Sequence, residues 1–210
     1  QPVGAFRAWT RLANDGPAAA QLLEAAVGDD STRAGAADGR ALVRSGHTDA
    51  GDRGVKRLRD DSEDVRSMAM DAMIAMGVHA NAFAVEALRM FENSDETAKL
   101  RHKAARALAS VRCQDGKQAL LRTVTDDAAD IDLRRVSAEA LKAFPEADAA
   151  AGLLRTMRGD NPALAESAER TLAGMEPNAV LPVLADTLAN GETGLAMAAA
   201  ELLGNIEDQQ

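Results

Sequence analysis

Aromatic side chains are scarce in this sequence, since four phenylalanines and one tryptophan make up 2% of its 210 residues and tyrosine is absent. Strands are enriched in aromatic and β-branched residues, so this scarcity disfavours a β-sandwich or barrel. The apolar residues are instead mostly alanine, leucine, valine and methionine, which are mainly good helix formers. The composition therefore predicts an all-α protein.

Cysteine and long apolar runs are also nearly missing. Cys113 is the single cysteine, which excludes an intrachain disulfide and a cysteine-based zinc site. No apolar run is long enough to span a bilayer. A formal net charge of −9 argues against a general nucleic-acid or anionic-membrane binder. Because Gln1 comes first, we expect a processed or partial chain, located in the cytoplasm or, after loss of a targeting segment, in an organelle lumen or stroma.

What the sequence does contain is an internal repeat. VRSMAMDAM at 65–73 aligns with LRHKAARAL at 100–108, LRRVSAEAL at 133–141, LAESAERTL at 164–172 and LAMAAAELL at 195–203. These copies begin 35, 33, 31 and 31 residues apart. Apolar residues recur in them at helical spacing, so each copy predicts a helix with a buried face.

Second helices are predicted between these copies, over residues 17–27, 50–59, 81–92, 115–125, 147–158 and 178–189. Acidic or polar turns follow them, and Asn161-Pro162 is the clearest N-cap. We therefore predict an α-solenoid of about six antiparallel helix pairs. It would form a single domain over 1–210, with a degenerate repeat at 1–28, regular repeats at 29–190 and an unpaired C-terminal helix at 191–210.

The segment DDSEDVRSMAMDAM at 60–73 carries the pattern D-D-x-x-x-V-R-x-x-A-x-x-A-L. This pattern and the repeat length resemble HEAT-like repeats of the phycobilisome-lyase type, over about residues 29–205. The resemblance implies a HEAT-like superhelix whose second helices line its concave face. The sequence departs from the pattern where Gly35, Ala165 and Ala196 replace the arginine.

Four basic residues recur at one position of the second helices, and we call them the basic ladder: Lys56, Arg89, Arg122 and Arg155, each 33 residues after the last. This position points away from the buried stripe, and the resemblance implies that it faces the concave groove. Arg57, Arg59 and Arg158 would extend the ladder. Two interpretations remain open: a groove for an acidic partner, or cations that pair with nearby turn acids such as Asp60, Asp61, Asp126 and Asp127.

Two further sets of residues have predicted structural roles. Arg66, Arg101 and Arg134 occupy the arginine position of the family pattern, which implies bonds to turn carboxylates or carbonyls of the adjacent repeat. Met68, Met73 and Met76 fall at core positions, where flexible packing is the main interpretation and a Met-rich docking groove the alternative.

A metal site is not predicted. His47, His79 and Cys113 fall in the turns of successive repeats, too far apart to share one ion. We expect His102 on the polar side of its helix, facing solvent. No phosphate loop, H-E-x-x-H motif or nucleophile elbow occurs, so the sequence predicts no catalytic residues and no required cofactor.

The leading functional hypothesis is a non-catalytic protein–protein interaction scaffold, a subunit or assembly factor of a larger complex that binds an acidic partner along its concave face. GLAMAAAELLGNI at 194–206 is apolar nearly all round, so we expect a partner, a dimer or missing sequence to cover the C-terminal helix. A bilin lyase or chaperone-type subunit, with a bilin as cofactor, is an alternative that the resemblance permits. A HEAT-like DNA glycosylase is disfavoured by the acidic charge.

Overall fold

The computed structural model of the chain describes residues 55–76 and 83–207. In these residues the chain consists of helices and turns. Residues 55–58 form the end of one helix. Nine further helices follow in these residues: α1 (Glu63–Met76), α2 (Ala84–Glu92), α3 (Ala98–Val111), α4 (Gln114–Thr125), α5 (Ile131–Ala140), α6 (Ala147–Thr156), α7 (Pro162–Ala173), α8 (Pro177–Asn190) and α9 (Thr193–Glu207). Residues 55–76 and 83–207 contain no strand.

The helices form the paired repeats of an α-solenoid, within two compact units, Gln1–Val111 and Arg112–Gln210. In the first unit α3 packs against both α1 and α2. In the second, α4 packs against α5 and α6, α7 packs against α5 and α6, and α8 packs against α6 and α9. The first helices α3, α5, α7 and α9 each pack against the second helix that precedes them. The chain is a helical repeat protein.

Local sequence explains where the helices begin. The Asn161 side chain accepts a 3.0 Å hydrogen bond from the Leu164 amide, with proline at the first turn of α7, as predicted. The Asp130 side chain caps α5 through the Leu133 amide, also at 3.0 Å. The helix predicted over 133–141 ends earlier, because Leu141–Ala143 forms a turn of 3₁₀ helix. Repeated leucines fill the core, among them Leu100, Leu108, Leu120, Leu153 and Leu164.

Several predictions fall on residues outside the described part of the chain: the degenerate repeat at 1–28, the helix at 17–27, His47 and His79, and the side chains of Met68 and Met76. Met73 is buried, which supports packing rather than docking at that position. Among the described residues, no helix is long and apolar enough to cross a membrane.

Candidate functional site

The basic ladder lies on the exposed face of the second helices. Lys56 and Arg89 are exposed in the first unit, and Arg122 and Arg155 are exposed in the second. Because α4 and α6 pack against each other, Arg122 and Arg155 lie on neighbouring helices. The next ladder position, Asp186 on α8, is also exposed but acidic. Each unit thus carries two cations of the series on its surface.

A buried glutamate lies under the ladder of the first unit. The Glu86 side chain on α2 is only 6% exposed, and it forms ion pairs with Arg59 and with Arg89, the latter at 3.1 Å. Hydrogen bonds from Arg59 hold the pKa of Glu86 below its ordinary value, although burial alone would raise that pKa. The same hydrogen bond raises the pKa of Arg59. Glu86 therefore stays ionised and fixes both guanidinium groups at the surface.

The partner of Arg89 differs from the turn acids named by the pairing interpretation. Arg89 pairs with helical Glu86, and the Asp127 carboxylate lies 2.9 Å from Arg134 of α5. Within the described residues, no hydrogen bond or ion pair engages the side chains of Lys56 and Arg155. These two side chains are therefore the members of the ladder on which a charge test is cleanest.

The second unit has its own buried charge, Lys117 on α4. Its side chain is 6% exposed, and its ammonium pairs with Glu146 and lies 2.8 Å from the Asp148 carboxylate. Gln114 also donates to Glu146, at 3.0 Å. Lys117 therefore links α4 to the beginning of α6, the second helix of the next repeat.

The pKa shifts of this cluster all favour the charged forms of its three groups. Burial alone would lower the pKa of Lys117, but hydrogen bonds to Asp148 and Glu146 outweigh it and the pKa is raised. Hydrogen bonds from Lys117 and Gln114 lower the pKa of Glu146. Burial opposes the same shift at Asp148, whose pKa is lowered by hydrogen bonds from Lys117 and the Ala149 amide. The lysine and the two carboxylates therefore stabilise one another as ion pairs.

The three arginines at the arginine position of the repeat form hydrogen bonds within their own units. Arg66 donates to the Asp60 and Asp61 carbonyls at 2.8 and 2.9 Å and pairs with both oxygens of Glu96 at 3.1 and 2.8 Å. Arg101 donates to the Phe91 carbonyl at 3.0 Å, and Arg134 donates to the Val124 carbonyl at 3.2 and 3.1 Å. The carbonyls of Phe91 and Val124 lie at the ends of second helices, where helical partners are missing. These arginines therefore link the end of one second helix to the first helix after it.

The structure also describes four other predicted residues, Arg57, Arg158, Cys113 and His102. Arg57 is exposed beside Lys56. Arg158 occupies the space where a side chain at Gly194 would begin, so its guanidinium lies against the start of α9. Cys113 immediately precedes α4 and is half-buried. His102 does not simply face solvent, because its Nε2 atom is enclosed and lacks a hydrogen-bond partner. In the described ranges, no three metal-ligating side chains come together.

Glu86 and Lys117 are the functional-site residues that sequence reasoning missed. An alignment of successive repeats, in which each column holds the equivalent positions, would have identified them. Lys117 aligns with Ala84 and Ala150, and Glu86 aligns with Ala119 and Gly152, all of them buried. A charge in a column of small buried residues indicates a buried ion pair.

Comparisons with known proteins identify no family. No protein-family model matches the chain, and no curated protein matches it. Among solved structures, an engineered protein is 18% identical, with 89% of this chain and 96% of that chain covered and a TM-score of 0.49. A designed armadillo repeat protein in complex with the peptide (KR)4 is 15% identical over 97% of this chain and 92% of that chain, with a TM-score of 0.49. Computationally designed armadillo repeat proteins for modular peptide recognition are 16% identical, covering 96% and 91%, with a TM-score of 0.45.

Proposed function

We propose that the protein is a non-catalytic interaction scaffold, a subunit or assembly factor whose second-helix face binds an acidic segment of a partner protein. The observation that carries this proposal is the repeated exposure of a cation at one helix position: Lys56, Arg89, Arg122 and Arg155. Within each unit, repeated helices present such equivalent positions as a binding surface. The pKa shifts of Glu86 and Lys117 beneath this surface favour their charged, ion-paired forms, which supports a binding role.

The partner segment should combine carboxylates with apolar side chains. Val85 is 74% exposed one helical turn before Arg89, so the ladder of the first unit borders an apolar contact. Exposed ion pairs alone contribute about 0–1 kcal/mol each, and apolar contact would supply further affinity. Such a scaffold would work in the cytoplasm or in an organelle lumen or stroma, because its single cysteine leaves it independent of disulfides.

The test uses a fluorescein-labelled peptide of alternating Glu and Val, followed by anisotropy. Lys56→Glu should weaken binding to the first unit and Arg155→Glu should weaken binding to the second, because in each variant an attractive contact becomes repulsive. Raising the salt concentration should weaken wild-type binding in the same direction.

The matched control is Arg106→Glu, which reverses an exposed charge on first helix α3. It should bind the Glu/Val peptide as the wild type does, and circular dichroism should show equal helicity for all three variants. Wild-type affinity in both Lys56→Glu and Arg155→Glu would remove the ladder as the binding site.

The alternative, a bilin lyase or chaperone-type subunit, depends on the resemblance of DDSEDVRSMAMDAM to phycobilisome-lyase-type repeats. Arginines of the ladder would then hold the propionates of a bilin. The described aromatic residues, Phe83, Phe91 and Phe144, are buried and leave no ring there for stacking. Mixing the protein with a bilin decides this alternative, since an unchanged absorbance spectrum would eliminate it.

A further inference from the structure

We propose that the outer face of α8 and α9 is a second docking surface, which takes a basic amphipathic helix from a partner protein. This surface is chemically opposite to the basic ladder. Its apolar residues are Leu181 and Leu188 on α8 and Met197 on α9, with exposed fractions of 41%, 42% and 61%. We call these three residues the terminal patch.

The repeat shows what the α8 part of the terminal patch is shaped to contact. Leu188 aligns with Phe91 and Val124, which are 1% and 0% exposed. Leu181 aligns with Ala84 and Ala150, which are also buried. In the second unit, each of the second helices α4 and α6 packs against the following second helix. Leu181 and Leu188 are therefore the positions at which another helix would pack.

The spacing on α8 fits a helical occupant. Leu181, Ala185 and Leu188 follow each other by four and three residues, so they share one side of the helix, and all three are exposed. On α9, Met197 and Ala200 are exposed three residues apart. Stripes of this kind suit contact with the apolar side of another helix.

Charge identifies the partner. The sequence has no lysine, arginine or histidine from 171 to 210, whereas it has acids at Glu176, Asp186, Glu192, Glu201, Glu207 and Asp208. Four of these, Glu176, Asp186, Glu192 and Glu201, are exposed in the described part. Glu201 follows Met197 by one helical turn, so an exposed acid lies beside the α9 part of the terminal patch. An occupant with acids would be repelled, whereas lysines or arginines flanking an apolar stripe would be attracted.

The experiment uses the whole chain and two labelled synthetic helices of roughly 18 residues, or five turns. One has a leucine stripe flanked by lysines, and the other has glutamates in place of the lysines. We expect the Leu/Lys helix to bind and the Leu/Glu helix not to bind. Equal binding of the two helices, or no binding of the Leu/Lys helix, would overturn the proposal.

Two variants locate the site. Leu181→Ser with Leu188→Ser should weaken binding of the Leu/Lys helix by about ten-fold or more, because anchoring side chains concentrate binding energy. The control, Ile131→Ser, changes an exposed apolar residue elsewhere and should bind normally. Glu201→Lys should weaken binding in the same direction, whereas Asp115→Lys, at another exposed acid, should not. Weakening by the controls to the same extent would overturn the assignment.

Sedimentation of the protein alone tests a competing occupant. A wild-type dimer that Leu181→Ser with Leu188→Ser converts to monomers would show that a second copy covers the terminal patch, which would overturn the proposal. The ladder variants and the Glu/Val peptide test a different surface, so failure here is distinguishable from failure of the proposed scaffold function.

Discussion

The Lys117 ammonium on α4 lies 2.8 Å from the Asp148 carboxylate on α6, one repeat further along the chain. The lysine side chain is 6% exposed, whereas the side chains of Asp148 and Glu146 are 46% and 41% exposed. Removing the lysine charge should therefore change the free energy of unfolding by a different amount from removing the carboxylate charges. A buried ammonium without a counter-charge is far less stable than an exposed carboxylate without one.

Lys117→Met should change the free energy of unfolding little, by less than about 1.5 kcal/mol, because buried alanine occupies the aligned positions 84 and 150. Glu146→Gln with Asp148→Asn should cost about 3–5 kcal/mol, because Lys117 stays buried and loses both charges. Urea unfolding at neutral pH measures both values. A larger loss from Lys117→Met than from the double variant would contradict this account of the cluster.

Arg112 has a φ of 54° in the turn that separates α3 from α4, a left-handed backbone that glycine adopts without steric cost. Arg112→Gly should therefore raise the free energy of unfolding by up to about 1 kcal/mol, after allowing for the added freedom of the unfolded chain. Arg106→Gly is the control, since it places glycine inside α3 and should cost about 1 kcal/mol. Thermal unfolding followed by circular dichroism should give shifts of opposite sign.

Gly152 on α6 allows a close approach of α4, because a Cβ atom at this position would lie 2.6 Å from Leu121 Cδ2. Gly152→Val should lower the free energy of unfolding by about 1–3 kcal/mol through overpacking. In contrast, a Cβ atom at Gly204 on α9 would meet nothing within 4 Å, so Gly204→Ala should stabilise by about 0.5–1 kcal/mol. Urea unfolding of both variants measures these changes in the free energy of unfolding. Equal changes in the two variants would contradict a close approach of the helices at Gly152.

Acid should destabilise the protein through its buried ion pairs. Folding lowers the pKa values of Glu86, Glu146 and Asp148, so the unfolded chain binds protons more readily than the folded chain. Their contribution to stability is present above the ordinary carboxyl pKa of about 4 and is lost as pH falls through the lower folded values. The free energy of unfolding should therefore decrease below about pH 4.

Glu86→Gln isolates one of these groups. This variant should be less stable than the wild type at neutral pH, and the difference should shrink as pH falls below about 4, because protonation removes the same charge from the wild type. Urea titrations across this range measure it. A difference that does not change with pH would contradict a lowered pKa for Glu86.

Much of the fold could be predicted because the pattern repeats. Helices expected over 115–125 and 178–189 are observed as Gln114–Thr125 and Pro177–Asn190. Apolar periodicity and caps fix such bounds locally. The helix expected over 147–158 instead ends at Thr156, where bonds of the 3₁₀ type from the Arg158 and Gly159 amides tighten the end.

The charged clusters could not be predicted from spacing within one helix. Arg59 and Glu86 are 27 residues apart, and Lys117 and Glu146 are 29 apart, so their pairing depends on how neighbouring repeats pack. Helical periodicity assigns an exposed face to residues such as Arg89, but it does not identify a buried glutamate beneath that face. Aligning the repeats in columns supplies this information, because a charge then stands among alanines.

The polar bonds between repeats have a consequence for how the chain acquires its structure. Lys103 reaches Ser67, and Arg66 reaches Glu96, over separations of 36 and 30 residues. Such bonds close short loops, and chains with a low contact order fold quickly. Folding can then nucleate at more than one helix pair and propagate to its neighbours.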